Sequence, residues 1–496
     1  MNPRNLSIQL GGDAAVSDYT FPAGQLHPTG QPQPRRPSFH SPHVSNDDTI
    51  RADDSSRSSF DDDPFTDHEK TALTPNRADF PRYGTTLPIP SPSPDDEEQQ
   101  QPPPQDQAAE VPYEKDHDPY SPTRPKLGIR PRLAHFTWAN YTLTMATGGL
   151  ALLLRAQPFQ FRGLFQIGLV VYILNIILFT LITCAQVTRF FLFSGTFKAS
   201  LTHRREGFFF PTFFLSIATL ITSTQRYAIP DGLASHPSAA LLWVLQAAFW
   251  AYVAITTAVA VGQYSYVFTA HSFGLQTMMP TWILPIFPIM LSGTIAAVVA
   301  GTQPSANAVP IIMAGLTCQG LGLAVATLMY AHMVGRLMQS GLPDREHRPG
   351  LFMCVGPPAF TALAFIGLAQ ALPADFDHDM DGLLDTNIIR TMAIIGAGFL
   401  WALSFWWFCI ALLAVVQSPP RYFHLGWWAM VFPNTGFTLA TIALGNAFQN
   451  DAVLWFGVAM SICLVLAYGF VLFHHVRAVV VQDIMYPGRD EDFEDH

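Results

Sequence analysis

Hydrophobic residues form ten long stretches in this chain, all of them after Arg132. Each is long enough for a helix that crosses a bilayer, which needs about 20 apolar residues. The predicted spans are 136–156, 166–193, 208–228, 239–262, 281–301, 309–334, 352–373, 388–416, 426–446 and 451–478. This pattern predicts an all-α membrane protein with ten transmembrane helices.

Polar and helix-breaking residues fall mainly in every second span. The odd-numbered spans contain Thr144, Thr147, Gly148 and Gly149; Ser216, Thr219 and Thr222; Pro285, Pro288, Ser292 and Thr294; Pro357, Pro358 and Thr361; and Pro433, Asn434, Thr435, Thr438 and Thr441. The even-numbered spans are mostly aliphatic or aromatic, and we expect none to have a proline past its first turn. Lipid cannot form hydrogen bonds with polar groups that a kink leaves unpaired. The pattern therefore predicts five inner helices around a pathway and five outer helices facing lipid.

The inner spans supply the candidate lining of that pathway. Prolines there are expected to kink their helices and expose backbone carbonyls, while hydroxyls and helix dipoles bind an anion weakly enough to release it. The candidate lining residues are Thr144, Thr147, Gly148, Ser216, Thr219, Ser292, Thr294, Thr361, Asn434, Thr435 and Thr438. Phe432, beside Pro433, could plug a narrow pore; helix or lipid packing is the alternative, because the chain has 38 Phe.

Charge divides the chain into three parts. Residues 1–125 carry 21 acidic and 10 basic residues among Pro, Ser and Gln, so they are predicted to form a disordered cytoplasmic tail. Ser-Pro pairs there are either phosphorylation sites or a consequence of composition. Residues 483–496 form a second acidic tail. The remaining 126–482 have 10 acidic and 16 basic residues, and this positive balance suits an anionic solute or simply fixes topology.

The distribution of Lys and Arg predicts that both termini are cytoplasmic. Lys126, Arg130 and Arg132 precede the first span, and the following loops on that side are also basic. The opposite side has scattered cations at helix ends, namely Arg155, Arg162, Arg226 and Arg390. The first 30 residues lack the apolar core of a secretory signal, so the first span is expected to direct insertion.

Several chemistries find no support in the sequence. No Asp or Glu lies in the middle of a span, which argues against a buried carboxylate relay. The segment from Asp377 to Gly382 resembles the start of an EF-hand, but Ile388 occupies the position of the required Glu, so an acidic extracellular loop is preferred. His332 and the pair His474-His475 are expected at the interface. We expect no enzymatic activity, metal, cofactor or nucleic-acid partner, and no disulfide framework, because all five Cys lie within spans.

Longer motifs resemble a known family. They are the segment from His135 to Gly149, His203-Arg204-Arg205-Glu206, Leu284-Pro285-Ile286-Phe287-Pro288, Arg348-Pro349-Gly350, Gly356-Pro357-Pro358-Ala359-Phe360-Thr361 and the run from Trp427 to Gly436. Over about 130–487 the chain resembles fungal malic acid permeases of the tellurite-resistance/dicarboxylate transporter family, which includes sulfite efflux pumps and plant guard-cell anion channels. The resemblance implies five helical hairpins around a central pore, a homotrimer, and an occluding Phe at Phe432, with Phe437 as a rival. The motif His203-Arg204-Arg205-Glu206 departs from the His-Pro-x-Glu expected in this loop.

These observations predict a transporter of small organic anions in the fungal plasma membrane. The positive body and the hydroxyl-rich spans favour an anion, and the resemblance favours C4-dicarboxylates such as malate or succinate. Without a buried carboxylate, any proton is expected to enter on the substrate as its monoanion. Sulfite efflux and passive anion conduction are the alternatives, and a receptor is disfavoured because ten spans exceed what a ligand pocket needs.

Overall fold

The computed structural model describes residues 124–229, 238–376 and 385–489, and these residues form helices and connecting turns without a strand. Ten long helices are labelled α1 to α10. They are α1 Tyr141–Arg155, α2 Leu164–Leu192, α3 Pro211–Ala228, α4 Ala239–Ala270, α5 in two pieces Phe287–Met290 and Ser292–Val299, α6 Ser305–Ser340, α7 Gly356–Gln370, α8 Thr386–Gln417, α9 Phe432–Phe448 and α10 Asp451–Val481.

Each of the ten predicted spans overlaps one of these helices, and the all-α membrane class is confirmed. Eight helical segments in the described residues are long and apolar enough to cross a bilayer. The other two, α1 and α9, have 15 and 17 residues. The predicted tail up to residue 123, the segment 377–384 and residues 490–496 lie outside the described residues.

The odd-numbered helices are buried and the even-numbered helices are exposed, as the polar pattern predicts. In the most apolar 18 residues of the segments that contain α3, α5 and α7, between 72% and 83% of the residues are buried, against 11% to 33% in the even-numbered helices. The outer helices expose large apolar side chains such as Val170, Trp243, Leu328, Phe399 and Leu466. Because their mean hydropathy is high, these faces suit lipid or a neighbouring subunit rather than water.

The five inner helices form a closed ring, each packed against the next, from α1 through α3, α5, α7 and α9 back to α1. Each inner helix also packs against the outer helix that follows it, so the chain forms five helical hairpins. Side chains join the layers: Tyr252 of α4 donates a hydrogen bond to the Pro288 carbonyl at 2.9 Å, and Trp401 of α8 donates one to Thr441 at 2.8 Å.

Every inner helix begins with a short 3₁₀ stretch. These stretches are Trp138–Asn140, Glu206–Phe209, Pro280–Ile286, Arg345–Val355 and Leu425–Met430, and they too contact one another in a ring. The prediction that inner prolines kink the helices is wrong for Pro288, Pro357 and Pro433, which occupy the first turns of their α-helices. A proline there removes no intrahelical hydrogen bond, since the first N–H groups have no partner within the helix.

One outer helix also departs from the prediction. Pro310 is the sixth residue of α6, because this helix begins at Ser305, four residues before the predicted span. An interior proline removes one backbone hydrogen bond. The outer helices are therefore not all free of proline past the first turn.

A buried ion pair joins α2 to the start of the third span. Arg189 binds Glu206, and the Arg189 side chain also donates a hydrogen bond to the Phe136 carbonyl at 2.9 Å. Both charged residues are almost fully buried, with 4% and 1% of their surface exposed. Glu206 belongs to the motif that departs from the family pattern, whereas Arg204 beside it donates a hydrogen bond to the Ser272 carbonyl at 2.7 Å.

Both ends of the described chain meet on the face where the inner helices begin, called here the terminal face. Asp483 binds Arg124 at 2.8 Å and Arg489 at 2.6 Å. Gln482 pairs with the backbone of Leu127 through both of its side-chain polar atoms. Packing within the described residues therefore includes Arg124 and Arg489, slightly beyond the expected membrane domain of 126–482.

Candidate transport pathway

A large cavity lies inside the ring of inner helices, and all five contribute to its wall. Its volume is about 600 Å³, within the usual range for a small-molecule site. The lining begins at Gly149, Leu291, Phe360 and Phe432 in the middle of the ring and continues to the last turns of the inner helices. It is called here the wide cavity, and it opens towards the face opposite the terminal face.

Five threonines line the wide cavity, namely Thr219, Thr222, Thr294, Thr302 and Thr435. Each of these hydroxyls donates a hydrogen bond to a carbonyl of its own helix, at distances from 2.8 to 3.1 Å. A hydroxyl whose proton is used in this way presents only lone pairs to the cavity. These threonines make the wall polar, but they do not present donors to an anion in this arrangement.

The hydrogen-bond donors that face the wide cavity are concentrated at its open end. They are the guanidinium groups of Arg155 and Arg226 and the amides of Gln225, Gln370 and Asn446. Among the described residues that line this cavity, the two arginines are the only charged ones. They lie together: Arg155 Nε donates a hydrogen bond to the Arg226 carbonyl at 3.3 Å. The described side chains that line this end of the cavity therefore carry a positive charge.

Three aromatic rings meet at the inner end of the wide cavity, and two of them, Phe360 and Phe432, belong to its wall. Phe432 of α9 stacks on Phe360 of α7, with ring centroids 5.1 Å apart, and meets Phe287 of α5 at 6.2 Å. The exposed fraction is 1% for Phe432, 6% for Phe360 and 2% for Phe287. Gly149 of α1 completes the contact, because a Cβ built on it would lie 3.3 Å from the Phe432 ring.

A second, much smaller cavity lies on the other side of these rings, towards the terminal face. Its volume of about 10 Å³ is close to that of a single water molecule. The wall includes Thr142, Thr212, Phe287, Met353 and Leu425, from the first turns or the 3₁₀ stretches of several inner helices. Phe432 lines this narrow cavity as well as the wide one, so its ring separates the two.

Phe437 lies elsewhere. Although 2% exposed, it lines neither cavity and packs against Trp401 and Phe408 of the outer helix α8, at centroid distances of 5.3 and 5.7 Å. Of the two rings considered from the sequence, the one positioned between the cavities is therefore Phe432.

Of the candidate lining residues, Thr219, Thr294 and Thr435 lie on the wall of the wide cavity. The others are buried between helices: Thr144, Thr147, Gly148, Ser216, Ser292, Thr361, Asn434 and Thr438. Several of them join neighbouring helices through hydrogen bonds. Thr144 bonds Ser216 at 2.7 Å, Thr147 bonds Tyr468 at 2.9 Å, and Thr361 accepts from Gln319 at 2.7 Å.

The residues around the start of α9 differ from the sequence interpretation, which placed His475 at the interface. Trp428 is fully buried, and its Nε1 donates a hydrogen bond to His475 Nδ1 at 3.0 Å. His475 itself is 7% exposed. The interfacial placement of His475 is wrong because α10 turns this side chain towards the start of α9 rather than towards the membrane surface.

The loop ahead of α9 is held by Glu346, whose carboxylate accepts hydrogen bonds from the backbone N–H groups of Arg421 and Tyr422. His424 follows in the same loop and stacks on His347. Burial, together with the nearby His347, lowers the pKa of His424 to about 4. This side chain is therefore neutral at physiological pH and adds no charge to the narrow end.

Comparison with known proteins decides the family. The profile of the voltage-dependent anion channel family matches residues 135–476, which include all five inner helices. The chain belongs to this family.

Fungal members with named activities are similar over most of the chain. A malic acid transport protein of Schizosaccharomyces pombe is 36% identical over 372 residues, covering 74% of this chain and 84% of the relative. A putative malic acid transport protein of the same yeast is 31% identical, covering 75% and 86%. A sulfite efflux pump of Trichophyton rubrum is 27% identical over 324 residues, covering 65% and 85%. The resemblance inferred from the motifs is confirmed.

The sequence did not predict the roles of two groups of residues in this anion channel family member, namely the two arginines and the rings that contact Phe432. Arg155 and Arg226 were assigned to topology, because a cation at a helix end usually reflects the membrane interface. Phe287 and Phe360 were quoted as motif residues without a role. The sequence does contain a feature that these three rings share, because each lies close to a proline: Phe287 and Phe432 precede one, and Phe360 follows Pro357-Pro358. Only the ring of inner helices shows that these positions meet.

Proposed function

We propose that this protein transports small organic anions across the fungal plasma membrane, with C4-dicarboxylates such as malate or succinate as substrates. The observation that carries this proposal is the wide cavity, which is enclosed by five helices and whose charged lining residues in the described chain are both arginine. An excess of positive potential in a cavity raises the local concentration of anions. The two malic acid transport relatives support the substrate class.

The proposed pathway runs from the wide cavity past Phe432 to the narrow cavity. The ring of Phe432 belongs to both cavity walls, so its rotation is the simplest way to connect them. Phe437 is the less favoured gate, because its ring packs against α8. Pro433 lies in the first turn of α9, so it favours a helix that begins at the Phe432 ring. It supports this assignment in that way, and not through the kink that was first expected.

The proposed orientation places both termini in the cytoplasm, so the wide cavity opens to the outside. The basic residues on the terminal face support this, following the positive-inside rule. We also propose a homotrimer in lipid, consistent with the exposed apolar faces of the outer helices. Residues 1–125 are proposed to be a cytoplasmic tail that regulates transport or trafficking and is dispensable for folding of the membrane domain.

Sulfite efflux is the alternative function, supported by relatives at lower identity; passive anion conduction by the same fold is another. Substrate can be tested in a yeast strain that lacks its own dicarboxylate and sulfite carriers. Uptake of radiolabelled malate should appear on expression of this protein and increase as the external pH falls, if the monoanion is the transported species. Sulfite tolerance without malate uptake would overturn the proposal.

A further inference from the structure

In the wide cavity, the charged residues and the constriction lie at opposite ends. Arg155 is six residues beyond Gly149 on α1, and Arg226 is seven residues beyond Thr219 on α3. At 1.5 Å per residue, the Cα atoms of the arginines lie about 10 Å beyond the level of Gly149, which faces the Phe432 ring. Binding and gating therefore concern different residues.

The deeper part of the cavity is a poor site for an anion. The threonines at that level, Thr219 and Thr435, donate their protons to the carbonyls of Ser216 and Val431. An anion there would have to break such a bond to obtain a donor, or accept an unfavourable contact with lone pairs. Phe360 and Phe432 supply the rest of the floor with apolar surface.

The open end has the opposite chemistry. Arg226 is exposed to the cavity, and no hydrogen bond from its guanidinium group to another described residue is present. Gln225 beside it is 6% exposed and lines the same cavity, where its side-chain NH₂ is the donor that could meet a carboxylate. Arg155 is oriented by stacking over the Phe165 ring at 5.7 Å and by its bond to the Arg226 carbonyl.

We propose that Arg155 and Arg226 form the carboxylate-binding site of the transporter. Each guanidinium is a planar set of N–H donors that matches a carboxylate, and Gln225 adds an amide beside them. The ligand class is a small organic carboxylate, and this inference rests on the proposed function. The site captures the substrate at the outer end of the cavity, and transport past Phe432 follows as a separate step.

A structural role for the two arginines predicts something different. The inner helices end at this mouth, where their dipoles are negative, and an arginine in the last turn stabilises such an end. A purely structural role would change protein stability and the amount of active transporter. A binding role changes the concentration of malate at which transport saturates.

The test compares Arg226→Gln and Arg155→Gln with wild type in malate uptake over a range of concentrations. Loss of one charge-assisted pair should raise KM for malate roughly tenfold, with a maximal rate per folded transporter close to wild type. Arg226→Lys keeps the charge and should recover part of the affinity. Arg162→Gln is the matched control, since Arg162 is exposed on the loop after α1 and lines neither cavity.

A second measurement uses the purified full-length protein in detergent. Malate should raise the melting temperature of wild type and of Arg162→Gln, and at the same malate concentration this shift should be smaller in the two cavity variants. The inference is overturned if wild type transports malate and both variants keep its KM. It is equally overturned if Arg162→Gln raises KM as much, or if only stability changes. Absence of malate uptake by wild type would instead refute the proposed function.

Discussion

The two cavities on either side of Phe432 are built from the same five helices, yet they differ by more than an order of magnitude in volume, about 600 against about 10 Å³. The wide cavity is lined by the later turns of the inner helices and includes two arginines. The narrow cavity is lined by first turns and 3₁₀ stretches and has no charged residue among its described lining. The ring of helices is therefore closed at one end and open at the other.

The difference follows from how the helices begin and end. At the terminal face, the 3₁₀ stretches contact one another in a closed ring and fill its centre with large side chains. At the opposite face, small and polar residues such as Gly301, Thr302 and Asn446 line the cavity. Helix dipoles are positive at the narrow end and negative at the wide end, so an anion site at the wide end requires arginine side chains.

The largest expected effect concerns the closed end. Glu206→Ala should lower the free energy of unfolding by roughly 3–5 kcal/mol, because it leaves Arg189 buried without its carboxylate partner. The melting temperature of the purified protein reports this loss. Lys198→Ala, at an exposed site in the same loop region, should leave it unchanged. An unchanged melting temperature in Glu206→Ala would mean that the ion pair does not hold this end together.

Joining the two cavities should have the next largest effect. Phe432→Ala removes the ring that separates them, and we expect roughly a tenfold or greater increase in anion leak with weaker selectivity between substrates. Electrophysiology or radiolabelled flux would measure it. Because truncation of a buried Phe costs about 3–5 kcal/mol in stability, Phe432→Leu provides a milder second variant.

Phe437→Ala is the matched control for the gate. It removes the same atoms from an equally buried site on the same helix, but from a ring that lines neither cavity. We expect Phe437→Ala to lose about as much stability as Phe432→Ala, but to keep the anion flux of wild type. If Phe437→Ala opens the pathway and Phe432→Ala does not, Phe437 is the gate. If neither changes flux, no occluding ring operates in this protein.

The smallest effect is expected at Gly149, where the first inner helix faces the ring. A Cβ there would lie 3.3 Å from both the Phe432 ring and Thr435, so Gly149→Ala leaves the ring less room to rotate. We expect a maximal rate lowered a few-fold with KM for malate unchanged, since the arginines are distant. Gly398→Ala on α8, where a Cβ meets no atom within 4 Å, is the control. A faster rate in Gly149→Ala would contradict the role of ring rotation.

The sequence was informative where a single helix explains the pattern. Ten apolar stretches, and the concentration of polar residues in alternate ones, predict which helices are inner and which are outer, because lipid excludes unsatisfied polar groups. It was misleading where a residue has two structural uses. Pro433 and Pro357 were predicted to kink their helices, but they lie in the first turns. Thr144 and Thr361 were predicted to line the pathway, but they form hydrogen bonds to neighbouring helices.

The sequence by itself determined the class of this protein, its ten helices and the family to which it belongs, because hydropathy and local motifs are properties of consecutive residues. Tertiary structure alone decided that Phe287, Phe360 and Phe432 meet in one constriction and that Arg155 and Arg226 share one wall of the wide cavity. These residues come from different helices, and only the closed packing of five hairpins determines which of their side chains face one another.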